Sequence, residues 1–148
     1  MKRGLFLIIV FLIVVTIIFL IMRQSVQSTV QFVDGPTVAV EIADDASEQT
    51  QGLAGHAPLD DQQGMLFVWP NREARTFWMK GMTFAIDIIW IADGKVIGIE
   101  TNVESPIDDD DILKSYFPPA PVNMVLEVAA GFSQRQNINI GDRLTVFP

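Results

Sequence analysis

From residue 30 onward, apolar and polar positions alternate in short blocks. In Thr37–Ala43, Val38, Val40 and Ile42 fall on one side and Thr37, Ala39 and Glu41 on the other, the period of two of a half-buried strand. Asn123–Ala129 repeats the pattern, with Met124, Leu126 and Val128 opposed to Val125, Glu127 and Ala129. Val30–Val33, Met65–Trp69, Arg75–Lys80 and Leu144–Phe147 also read as strands, punctuated by Asp34-Gly35-Pro36, Pro70-Asn71 and Gly81. Ala85–Ala92 and Lys95–Thr101 flank Asp93-Gly94, a pair suited to a type I′ hairpin because both central residues need positive φ. In the first of these two strands, Ile86, Ile88 and Trp90 share one face and Asp87, Ile89 and Ile91 the other. Both faces are mostly apolar, so this strand is expected inside, covered on both sides.

A helical signal is confined to Asp44–Gly52, where Asp44, Asp45 and Ser47 offer caps, Glu48 adds an acid in the first turn and Gly52 ends the run. Gly131 begins a turn or a brief helix. Gly55–Gln63 is loop, and so is Glu104–Pro121, which carries the acid run Asp108–Asp111 and the stiff Phe117-Pro118-Pro119. About eight short strands with one helix predict a mainly β domain, a small barrel-like or sandwich antiparallel fold rather than a parallel α/β architecture. A domain of about 120 residues buries roughly two thirds of its unfolded surface, so it needs no disulfide or metal to be stable.

The first 23 residues are different. Met1–Arg3 is basic, Leu5–Met22 is apolar without a charge and Arg23 closes it, so residues 1–23 are expected to form one N-terminal transmembrane helix. A cleaved secretory signal is the rival, but such signals have an apolar region of about 7–15 residues, and Val26 and Ser28 make only a weak cleavage site. Lys2 and Arg3 place the N-terminus in the cytoplasm and the domain outside, in the periplasm or beyond the cell. Residues 24–29 read as a short tether and 30–148 as the extracytoplasmic domain. There is no cysteine, which excludes disulfides, thiolate metal sites and a cysteine nucleophile. Beyond Arg23 stand 7 basic residues against all 18 acidic ones, a net charge of −11 that repels nucleic acid and attracts cations or basic peptides.

The blocks VEIA at 40–43, GL at 52–53, GMLFVW at 64–69, FWMKGM at 77–82, VLEVAAG at 125–131 and GDRL at 141–144, with the Asp87 strand and its hairpin, resemble domain-of-unknown-function family 192. That family comprises small bacterial and archaeal proteins, often exported. The resemblance runs from about Thr37 to the end of the domain and implies a compact, β-rich, barrel-like fold. It supplies no activity. The family's helix-end motif usually continues with methionine and later arginine, where this chain has Ala54 and His56.

Four groups of residues can carry chemistry. Glu41, Asp87 and Glu127 are carboxylates set in apolar strands; two of them in one cleft would serve as general acid and base in a hydrolase acting on an envelope polymer. The bland alternative puts Glu41 and Glu127 at solvent-facing positions and makes Asp87 a buried acceptor for backbone amides or an arginine. Met65, Met79 and Met82, with His56, are weak candidates for Cu(I) or Ag(I), although methionines in apolar strands are usually core. Asp108–Asp111 offers oxygen ligands to Ca²⁺ but lacks the alternating spacing of a calcium loop. Trp69, Phe77, Trp78 and Phe84 suggest an aromatic-lined groove, and strand parity puts Trp78 with Lys80 rather than with Phe77 and Met79. The favoured expectation is a membrane-anchored extracytoplasmic binding or accessory module without a cofactor, contacting its ligand through Trp78, Lys80 and Asp87. The hydrolase is the alternative.

Overall fold

The computed structural model describes residues 28–107 and 113–147; the apolar segment 1–23 and the acid run Asp108–Asp111 lie outside the described residues. The elements in order are β1 (Ser28–Phe32), β2 (Thr37–Ala43), α1 (Ala46–Gln51), β3 (Gln63–Glu73), β4 (Phe77–Trp78), β5 (Ile86–Ala92), β6 (Lys95–Val103), β7 (Ser115–Tyr116), β8 (Val122–Ala129), α2 (Phe132–Arg135) and β9 (Leu144–Phe147). Ser28 and Thr29, read from the sequence as tether, already belong to β1.

Seven strands form one sheet in the order β6-β5-β8-β3-β2-β1-β9, and β4 pairs with β7 in a separate two-stranded ribbon. The large sheet curls into a half-barrel. At one corner its outer strands meet: the Val96 N–H donates to the Asp142 carbonyl and the Leu144 N–H to the Gly94 carbonyl, both at 2.9 Å. The expectation of an all-antiparallel fold needs correcting at one place. β2 and β3 run parallel, Ala39 opposite Gln63 and Ala43 opposite Phe67. The segment between them contains α1, and a parallel pair requires a crossover of that kind. Asp45 caps α1 as its sequence implies, accepting from the Ser47 and Glu48 amides at 2.8 Å each.

Two strands differ most in extent from the sequence reading, and β7 falls inside the segment read as the Glu104–Pro121 loop. β3 continues through Pro70-Asn71 to Glu73, because its register against β8 is broken between Val68 and Glu73 and a proline there costs no ladder hydrogen bond. The Arg75–Lys80 block shrinks to Phe77–Trp78, since its partner is only the two-residue β7. The Asp93-Gly94 hairpin forms as expected, with φ of 47° and 73°.

β5 is buried along its whole length. Ile89 and Ile91 join Phe32, Leu66, Leu126 and Phe132 on one side of the sheet. Ile86, Ile88 and Trp90 join Leu53, Met65, Phe67, Phe77, Met79, Met82 and Val125 on the other. A side chain at Gly98 would meet Pro119 at 2.9 Å, so the Phe117-Pro118-Pro119 turn lies directly on β6.

Asp87 is fully buried among these residues. Its Oδ1 accepts the amides of Asn102 at 2.8 Å and Gly131 at 2.9 Å, and its Oδ2 accepts that of Ser133 at 2.9 Å. Gly131 is the N-cap of α2 and offers no side chain of its own, so Asp87 caps that helix from another strand. Asp87→Asn turns an amide N–H₂ toward at least one of these donors. It is expected to cost about 1–3 kcal/mol in urea unfolding; an unchanged midpoint would refute the capping role.

Candidate functional site

The sheet face opposite the α2 side carries a cavity of about 260 Å³. Its walls come from the end of α1 and Gly52–Ala54, from Phe67 and Trp69 of β3, and from Arg75, Thr76, Phe77, Trp78, Lys80 and Met82 around β4. Glu127 of β8 lines it from below.

Glu127 reaches this position by register. β8 lies between β3 and β5, and Glu127 stands opposite Met65 on one neighbour and Ile88 on the other. Both are buried and apolar. Glu127 itself is only 5% exposed, where the bland sequence alternative placed it toward solvent. Among the described residues no group hydrogen-bonds its carboxyl. Burial therefore penalises the ionised form without compensation, and raises its pKa from 4.5 to about 8.

The aromatic wall is tied into the core by ring contacts and one hydrogen bond. Phe77 stands edge-on to Phe67 at 4.9 Å and to Trp90 at 5.4 Å between ring centroids. The Trp69 indole N–H donates to Gln49 Oε1 at 2.8 Å, while Gln49 Nε2 donates to the Val68 carbonyl at 3.0 Å. Across the Trp69 ring lies the Arg75 guanidinium, 4.4 Å from the centroid, with Nη1 3.3 Å from Glu73 Oε2. Trp78 is 48% exposed, while Phe77 and Met79 are buried, the parity the strand pattern implies. Lys80 is exposed at the cavity edge.

The remaining candidates are distributed elsewhere. Asp87 points to the other face of β5 and its oxygens are occupied by amides. Glu41 shares a lateral row with Met65 and Glu127, two strands from Glu127, but it is exposed and lines smaller cavities with His56, whose Nε2 lies 3.4 Å from Glu41 Oε2. The three carboxylates are thus not gathered in one cleft. Met65, Met79 and Met82 are core residues of one cluster, Met82 lining the main cavity and Met65 a smaller one beside His56. Phe84 packs against that cluster outside the main cavity's lining. Among the described residues no group of three His, Asp or Glu side chains is arranged to hold a metal ion. Gln49, Arg75 and the position of Glu127 escaped the sequence reading. The sequence offers Glu127 as a candidate catalytic carboxylate because it is a charge in an apolar strand, a signal that says nothing about which strands flank it.

The raised pKa has a stability consequence. Between pH 4.5 and 8 the folded state holds a proton on Glu127 that the unfolded state has lost, so stability falls as pH rises through this window and is level above it. The slope is at most about 1.4 kcal/mol per pH unit. Glu127→Gln should flatten the melting-temperature profile between pH 5 and 8 and raise it at pH 8. Superimposable profiles of variant and parent would show that the carboxyl is not buried as described.

None of the curated proteins matches the chain. Two solved structures are similar. One is a protein of unknown function from Novosphingobium aromaticivorans, 30% identical, covering 81% of this chain and 84% of its own, with a TM-score of 0.69. The other, from Sinorhizobium meliloti and described as a candidate transcription regulator, is 29% identical, covers 81% of this chain and 92% of its own, and has a TM-score of 0.68. The profile of the uncharacterised family DUF192, described as "Uncharacterized ACR", matches residues 29–146, the span that holds the half-barrel and the Glu127 cavity, and the chain belongs to that family.

Proposed function

We propose that this protein is a membrane-anchored extracytoplasmic binding module whose ligand seats in the Glu127 cavity. The observation that carries the reading is a pocket whose aromatic wall is held in place while the buried carboxyl that lines it is left without a partner. Trp69 is fixed by Gln49, and Phe77 by Phe67 and Trp90, yet the Glu127 carboxyl has no hydrogen bond among the described residues. Apolar concavities with a few convergent polar groups are the usual form of a ligand site. At about 260 Å³ the cavity suits one ring with a short polar arm rather than a drug-sized molecule. Trp78 and Lys80 form its open side.

The extracytoplasmic location rests on the charge-free run Leu5–Met22 and the basic residues before it. Regulation of transcription, suggested for the Sinorhizobium meliloti protein, has little support here, because a domain with a net charge of −11 repels nucleic acid. A hydrolase has less support than a binding module. Carboxylate-pair chemistry needs two carboxyls about 5–10 Å apart in one cleft, and of Glu41, Asp87 and Glu127 only Glu127 lines the cavity.

Ligand-observed NMR with the neutral probe 3-phenylpropan-1-ol tests the pocket. Binding is expected, weakened roughly tenfold (about 1.4 kcal/mol) by Trp78→Ala, with little change in melting temperature because Trp78 is half-exposed. No binding, or equal affinity in the variant, would remove this cavity as the site.

A further inference from the structure

The charge lining the cavity runs against the charge of the chain. Beyond Arg23, acidic residues outnumber basic ones 18 to 7, yet the cavity is lined by two basic side chains, Arg75 and Lys80, and one acidic, Glu127. Arg75 is balanced by Glu73 at 3.3 Å and held over Trp69. Lys80 is exposed, lines the same cavity and makes no ion pair among the described residues. The neighbouring cavities are lined instead by Glu41, Glu48 and His56.

Resting on the binding reading above, we propose that the cavity takes a small organic acid: a carboxylate borne on a single flat apolar body, the body seated among Phe67, Trp69, Phe77 and Trp78 and the carboxylate paired with the Lys80 ammonium. The chemistry of Glu127 agrees with this occupant. A protonated carboxyl is a hydrogen-bond donor, so below about pH 8 Glu127 presents an O–H to an acceptor-rich ligand, and a cation would have to displace that proton first. An amine would in addition meet Lys80 as a like charge.

The charged groups around Glu127 are few. Arg75 and Lys80 share its cavity. Glu41 on β2, beyond Met65, and Glu100 on β6, beyond Ile88, lie in the same lateral row of the sheet, each with one apolar residue between. α1 contributes only uncharged side chains to the lining, Ala46, Gln49, Thr50 and Gln51. A change in affinity between pH 6.5 and 9 is thus assigned to Glu127 by its loss in Glu127→Gln.

The test uses the full chain in zwitterionic lipid nanodiscs, with empty nanodiscs subtracted, and three probes of one shape: 3-phenylpropionate, 3-phenylpropan-1-ol and 3-phenylpropylamine. At pH 6.5 the acid should bind about tenfold more tightly than the alcohol, and the amine most weakly. Lys80→Gln should bring the acid down to the alcohol's affinity. At pH 9 the ionised Glu127 should cut the acid's preference severalfold, and Glu127→Gln should restore it. An amine that binds better than the acid, or an acid preference that survives Lys80→Gln, overturns the organic-acid assignment while leaving the cavity as a binding site. Failure of all three probes overturns both.

Discussion

A single buried carboxylate ties together parts of the chain that share no strand pairing through it. Asp87 receives amides from Asn102 at the end of β6 and from Gly131 and Ser133 at the start of α2. The Ser133 N–H is buried and without an acceptor would carry a desolvation penalty, and a buried carboxylate without donors a larger one. Meeting each other, the two problems cancel. The turn after β8 is thereby held against β5, and Phe132 is set into the apolar layer with Ile89, Leu126 and Leu144. The seating of α2 depends on this contact because the helix is four residues long and has no side-chain cap of its own.

Glu127 presents the same chemical group in the opposite condition. Both carboxylates stand in central strands among aliphatic side chains, and both are buried. One is surrounded by amides at a strand end, where loops and a helix start supply free donors. The other sits within β8, paired on both sides by neighbouring strands, where the flanking side chains are Met65 and Ile88. Structural need accounts for Asp87 fully. Nothing in the packing accounts for Glu127, which costs stability at neutral pH by raising the energy of its ionised form. A costly group that opens into a cavity is the usual mark of a site that serves something other than the fold.

The cavity also explains the division of aromatics. Phe67, Phe77 and Trp90 complete the core, and Trp69 is half in it, its indole N–H tied to Gln49 of α1. Only Trp78 is substantially exposed among the three tryptophans. Placing α1 in the crossover between two parallel strands brings Gln49 and Gly52–Ala54 over β3 and so builds the wall opposite β4. The single parallel pair in the sheet is what gives the cavity its second side.

Patterns with a local cause were legible in the amino-acid order. The two-residue period set β2, β5 and β8; the demand for positive φ set the Asp93-Gly94 hairpin; the Asp45 cap set α1; and the family blocks named the fold that the chain adopts. Parity along Phe77–Lys80 already separated Trp78 from the core, and two apolar faces on β5 already marked Asp87 as interior. What stayed hidden depends on which strands become neighbours. Alternation tells a side chain's face but not the residue beside it, so Glu127 read the same whether it faced water or Met65 and Ile88. For the same reason the parallel pairing of β2 with β3, the long β3 running past Pro70, and the meeting of Arg75, Lys80 and Glu127 around one cavity were decided by tertiary contacts alone, where distant segments share a boundary and water is excluded between them.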